Sequence, residues 1–216
     1  TEGEWASVRG LIERMIGQYQ RLLSAVVANP ELHLWELPLL TEAQKQQQLV
    51  DWNDTQAEYP QQCIQELFEA QVAQSAEAVA LVFGEEEISY SELNRRANQL
   101  AHYLRQQGVG PEVLVGISLD RSVDLVVGLL AIVKAGGAYV PLDPQYPLER
   151  LAFMIEDAGL TVLLTRELLS TALPPSAAAV VCVDRDAGVI AEQSCENPLL
   201  LSHPDDLAYV IYTSGS

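Results

Sequence analysis

The chain has 216 residues, 49% of them hydrophobic and 19% charged, which are the proportions of a folded globular protein and not of a disordered one. Twelve Lys and Arg stand against thirty Asp and Glu, and the resulting net charge of −18 argues against nucleic acid or an anionic membrane as the main partner, since both need a basic footprint. No apolar run reaches the roughly 18–20 residues that cross a bilayer, so no transmembrane helix is expected.

The first predicted element is an amphipathic helix from Ser7 to Ala28. Val8, Leu11, Ile12, Met15, Ile16, Tyr19, Leu22, Leu23, Val26 and Val27 recur there at steps of three and four. Asn29-Pro30 ends it, because proline cannot continue a helix and disfavours helical geometry before it. Residues 31–60 read as an ordered linker. Glu36–Leu40 is expected to be extended, Thr41 to cap a short helix reaching Leu49, and Trp52–Thr55 and Tyr59-Pro60 to turn. Leu37, Leu39, Leu40, Trp52 and Tyr59 are its expected hydrophobic anchors.

From Ile64 the pattern alternates between helix and strand. A helix over 64–73 presents Leu67, Phe68 and Val72 on one face. Val79–Phe83 and Ile88–Tyr90 are strands joined by the turn Gly84-Glu-Glu-Glu87, whose acids keep a sheet edge soluble. Ser89-Tyr-Ser-Glu92 has capping-box spacing and opens a helix to Gln107, with Leu93, Ala97, Leu100, Ala101 and Leu104 inward and Gly108 as its stop. A strand at Leu114–Leu119, a helix over 122–135, the pair Gly136-Gly137 and a strand at Tyr139–Leu142 follow. Helix 147–158, strand 161–165, short helix 166–173 and strands 180–184 and 207–212 complete the order. This alternation predicts an α/β fold with a mostly parallel, doubly wound sheet, preceded by the helical segment and the linker.

The last ten residues, Leu207-Ala-Tyr-Val-Ile-Tyr-Thr-Ser-Gly-Ser216, read as a buried strand entering a hydroxyl-rich loop. Thr213, Ser214, Gly215 and Ser216 can wrap an anion with backbone N–H and side-chain O–H donors. Strands also commonly end in such turns, and the loop lacks the lysine of a Walker-type phosphate loop. Cys63, Cys182 and Cys195 have no metal-like spacing, and His33, His102 and His203 are scattered, so neither a zinc site nor a Ser/His/Asp order is expected. Sparse, odd cysteines without a secretion signal fit a reducing cytoplasm. With no initiator Met and a motif open at its end, the sequence is expected to be a piece of a longer chain.

Three stretches carry a resemblance. Ile88-Ser-Tyr-Ser-Glu-Leu-Asn94, Val133-Lys-Ala-Gly-Gly-Ala-Tyr-Val-Pro-Leu-Asp143 and Leu207–Ser216 resemble, in order and spacing, the first three core motifs of adenylation domains in non-ribosomal peptide synthetases. Asp143-Pro-Gln-Tyr-Pro-Leu-Glu-Arg-Leu151 and Glu156-Asp-Ala158 are similar to the continuation of the second motif. Residues 1–30 and 31–60 resemble the C-terminal helix of a condensation domain and the linker after it, with 61–216 the N-terminal portion of the adenylation domain.

The resemblance implies joining of an amino acid carboxylate to ATP and passage of the acyl group to a carrier domain's phosphopantetheine thiol. It also implies Mg2+ beside ATP, with adjacent condensation and carrier domains as partners. Thr213, Ser214, Gly215 and Ser216 would then begin the loop that holds the ATP phosphates. No catalytic or metal residue is assigned within the chain. Lys134 is expected to be structural, its cation facing a helix C-terminus, and Tyr90, Glu92, Leu93, Tyr139 and Asp143 serve helix starts, packing and turns. The isolated 216 residues are expected to be inactive, since neither Lys45 nor Lys134 matches the family's catalytic lysine. Two further readings stand beside this one: an acyl-CoA-ligase-like adenylate-forming enzyme, which segment 1–60 disfavours, and a non-catalytic interdomain scaffold.

Overall fold

Helix, turn and strand follow one another in the computed structural model much as the hydrophobic periods dictate; it describes residues 2–213, and the side chains of 8–213. The chain divides into two units, residues 1–59 and 60–216.

In the first unit α1 runs Glu2–Ala28, starting earlier than the apolar stripe suggests, and α2 runs Glu42–Leu49. Thr41 caps α2 reciprocally: its Oγ1 accepts from Gln44 N at 3.1 Å while Gln44 Oε1 accepts from Thr41 N at 2.9 Å. Short 3-10 turns at Leu34–Glu36 and Asp51–Asn53 fill the rest. The Arg21 guanidinium donates to Leu39 O at 3.0 Å, and Asn53 Nδ2 to Gln48 O at 2.7 Å. These polar ties, and not burial, order the linker. The expected anchors Leu39, Trp52 and Tyr59 are exposed, as is most of the α1 stripe from Val8 to Val27.

The second unit contains α3 (Ile64–Ser75), β1 (Val79–Phe83), β2 (Glu86–Ser89), α4 (Tyr90–Gln106), β3 (Leu114–Ile117) and α5 (Val123–Ala135). There follow β4 (Ala138–Pro141), α6 (Leu148–Asp157), β5 (Val162–Thr165), α7 (Glu167–Ser170), β6 (Ala179–Cys182) and α8 (Ala187–Ala191). β1 and β2 form an antiparallel hairpin, while β4-β3-β5-β6 form an all-parallel sheet. The period of two sorts the side chains. Val115, Ile117, Val162, Leu164 and Val181 meet the core built with α4 and α5; Val140, Leu142 and Leu163 meet Leu151, Met154 and Ile155 of α6. Helices on both faces make the sheet doubly wound.

Gly116 lies on the α6 side, where an added Cβ would sit 2.5 Å from Leu163 Cδ2 and 2.9 Å from Leu142 Cδ1. The five residues expected inward on α4 are all buried.

Local chemistry corrects several boundaries. Gly84 at φ +63° makes a two-residue turn with Glu85, so Glu86 and Glu87 belong to β2 and the turn is shorter than four residues. Leu67 is exposed, leaving Phe68 to seal α3. Ser89 Oγ caps α4 at Glu92 N, 3.3 Å away, but Glu92 does not reach back as a capping box requires. It turns to Arg95 and Arg96 at 2.7 and 2.6 Å, and those partners, Arg95 first, pull its carboxyl down to about 2. α7 is only four residues long, and α8, which carries two alanines and a glycine, had no apolar period to announce it.

Candidate functional site

The C-terminal ends of parallel strands in a doubly wound sheet form the usual ligand crevice. Here a cleft of about 880 Å3 opens at those ends, lined by Ile117 at the end of β3 and Leu119 beyond it, Leu125 of α5, Pro141 at the end of β4 and Asp143 beyond it, and Ile211. Its rim carries Asp120 and Arg121. Asp143 serves the turn, its Oδ1 accepting from Gln145 N at 2.9 Å.

Ile211 belongs to the segment that ends in the candidate loop. Leu207–Tyr212 is not a full buried strand. A single parallel bridge joins Tyr139 to Tyr209, with Tyr139 N donating to Ala208 O at 3.1 Å and Val210 N to Tyr139 O at 3.0 Å. Its side chains alternate, Leu207, Tyr209 and Ile211 being exposed while Val210 and Tyr212 pack toward the α6 core. The segment lies outside β4, so only one of its faces meets the core.

Tyr209 stacks on Tyr139, ring centroids 5.5 Å apart. Tyr212 leans over α6, edge-on to Phe153, and its hydroxyl donates to Asp157 Oδ2 at 2.5 Å. Burial, then the Asp157 carboxylate, push that phenol up to about 12, so it keeps its proton at neutral pH. Thr213 is the last described residue; Ser214, Gly215 and Ser216 lie outside the described residues.

Upstream, residues 192–206 cross from α8 to this segment without regular structure. A polar stripe of α4 grips them by their carbonyls. Gln99 donates to Ala191 O (2.6 Å), Asn98 to Cys195 O (2.7 Å), His102 to Glu196 O (3.0 Å) and Arg105 to Leu199 O (2.6 Å). Arg105 also donates to Lys134 O and Ala135 O, satisfying the last carbonyls of α5.

Lys134 is structural, as its sequence position suggests, though not through the helix end. Its fully buried ammonium pairs with Glu69 of α3 and lies 3.3 Å from Asn197 Oδ1. Desolvation outweighs Glu69 and lowers its pKa. The histidines are likewise structural or exposed: His102 holds a carbonyl, His33 stacks on Trp35, and His203 is solvent-facing. The three cysteines are free, and among the described residues no cluster of His, Cys, Asp and Glu could hold a metal.

Comparison with known proteins turns this geometry into a lineage. A family model described as AMP-binding enzyme matches residues 68–216. The chain belongs to the AMP-binding enzyme family. It is 50% identical over 206 residues to a linear gramicidin synthase of Brevibacillus parabrevis, covering 95% of this chain and 4% of that protein. It is 46% identical to chondramide synthase cmdD of Chondromyces crocatus, again over 95% of this chain and 5% of the relative. The chain therefore spans about one twentieth of the length of these curated relatives.

Among solved structures, the non-ribosomal peptide synthetase FmoA3 in its α-methyl-L-serine-AMP-bound form superposes with TM-score 0.74 at 31% identity, over 96% of this chain and 23% of that one. The N-terminal subdomain of NpsA from Klebsiella oxytoca gives TM-score 0.64 at 25% identity, over 73% and 40%. As a member of the AMP-binding family, the chain has the α/β architecture of an adenylation domain's N-terminal subdomain. Sequence reasoning missed the α4 grip and Asp157. The spacing of Asn98, His102 and Arg105 was a legible helical stripe, but carbonyl partners leave no mark in a sequence.

Proposed function

We propose that the chain is part of a modular peptide synthetase whose adenylation domain activates an amino acid. ATP and the amino acid carboxylate give an aminoacyl-adenylate and pyrophosphate, and the acyl group then passes to a phosphopantetheine thiol on a carrier domain. Residues 61–216 are the first part of that adenylation domain, 31–60 the linker, and 1–30 the last helix of a condensation domain, in a cytoplasmic enzyme. The supporting observation is the 50% identity to a gramicidin synthase along 95% of the chain, a share that takes in most of residues 1–60.

Chemically, two anions must meet while pyrophosphate departs, so catalysis rests on positioning and on oriented donors. Thr213, Ser214, Gly215 and Ser216 would supply hydroxyl and backbone N–H donors to the ATP phosphates. Magnesium enters only as the companion of ATP, and no residue of the chain is assigned to it.

Amino-acid-dependent ATP–pyrophosphate exchange tests the reading. The synthetase carrying this chain is expected to exchange with one or a few amino acids, while the 216 residues alone stay at the level of a denatured control. Exchange driven by a fatty or aryl acid instead would refute the amino acid assignment.

A further inference from the structure

Two neighbouring cavities of the second unit take no part in the reaction proposed above. The first, about 160 Å3, has apolar walls formed by Leu100 of α4, Val127 of α5, Val183 after β6 and Ile190 of α8. The second, about 280 Å3, is lined by Arg96, Arg121 and Arg166 together with Glu86, Asp120 and Asp124. Arg96 and Asp124 line both, so one cation and one anion stand where the apolar hole meets the charged one.

Each cavity narrows the class of molecule that fits. An apolar cavity of about 150 Å3 takes a molecule the size of benzene, so the first has room for a leucine-sized side chain. Beside this hole α8 is held at both ends. Asp186 Oδ2, just before the helix, accepts from Cys182 N at 2.8 Å, and Ala191 O accepts from Gln99 Nε2 at 2.6 Å. In the second cavity three guanidinium groups accompany three carboxylates, which gives a lone cation or anion little net attraction and favours a molecule that carries both. The ion pairs already present there, Arg96 with Glu92 and Glu86 and Arg166 with Asp124, are partly exposed. Such pairs contribute little, so their members can turn to a ligand at small cost.

We propose that the joined cavities bind a free α-amino acid with a leucine-sized apolar side chain. Its side chain lies in the hole beside α8, its carboxylate on Arg96 and its ammonium on Asp124. Apolar walls with a few well-placed charged groups are the usual make-up of a small-molecule pocket. No bond is made or broken there, and neither Arg96 nor Asp124 lines the crevice at the strand ends. The site does not depend on the adenylation reading.

Photo-leucine, a diazirine analogue of leucine, is the probe. It is irradiated with the synthetase carrying this chain, and the labelled peptides are read by mass spectrometry. Label is expected on α4, α5 or α8, and L-leucine should compete it away. Glycine lacks the side chain, 4-methylpentanoate the ammonium and isoamylamine the carboxylate; each should compete about tenfold less well. Ala187→Leu, which fills the hole from its own wall, and Asp124→Asn should each cut the label about tenfold. The proteolysis pattern of each variant reports folding, and the competition on the unaltered protein needs no variant. No label on these elements, competition by glycine equal to that by leucine, or label unchanged in both variants would each overturn the inference. Label only outside residues 61–216 would mark an activation pocket alone and overturn it too. Exchange activity is not part of the readout, so failure of the adenylation reading would leave this site standing.

Discussion

Glu69→Ala is expected to lower the stability of the chain by about 3 kcal/mol or more, and to cost more than Lys134→Met. The asymmetry follows from burial. The Lys134 side chain is 0% exposed and Glu69 is 24% exposed, so removing the acid strands a charge that water cannot reach, whereas removing the lysine leaves a carboxylate that water can. Asn197 Oδ1, already accepting from Asn94 and Asn98, is the remaining acceptor near the ammonium.

The sign with pH is fixed too. The folded pKa of Lys134 lies below the ordinary lysine range, so the unfolded state binds more protons in the window between the two values, and stability rises with pH there. Without Glu69, which raises that folded value, the window extends lower. Urea unfolding from about pH 7 to about pH 10 should therefore show the Glu69→Ala deficit shrinking as pH rises. A deficit that stays constant would mean that Lys134 is not the group left uncompensated.

Gly137→Ala carries the second large effect. An added Cβ would stand 2.9 Å from Val113 O and 2.7 Å from Val109 Cγ1. The oxygen cannot give way, because it already accepts from Ala138 N at 3.0 Å, at the entry to β4. A loss of about 2–3 kcal/mol is expected, as for overpacking of a core. Gly136→Ala should cost less, about 1–2 kcal/mol, from backbone strain at φ +102° with only ordinary contacts around it. Thermal melts of the two variants would show the order, and a milder Gly137→Ala would contradict the close approach seen here.

Those glycines show what was legible. Gly136-Gly137 announced a tight helix-to-strand turn, and the apolar steps of α4 and α5 announced their buried faces, because each signal is carried by residues adjacent in the chain. The terminal run was misread for the opposite reason. Leu207–Tyr212 is apolar throughout, and only its place outside β4 decides that Tyr209 and Ile211 stay exposed. The capping-box spacing at Ser89–Glu92 was likewise real, yet Glu92 had two arginines within reach and took them. The Tyr212–Asp157 hydrogen bond, between residues 55 positions apart, could be seen only in three dimensions.

The grip of α4 on residues 191–199 holds peptide carbonyls, which every amino acid supplies alike. Side chains along that stretch, Gln193 and Asn197 apart, are thus open to drift without loosening the hold. Length is not: inserting or deleting one residue there would carry every later carbonyl out of step with its donor. In recombining such modules, this stretch would tolerate exchange of letters while its spacing must be copied unchanged.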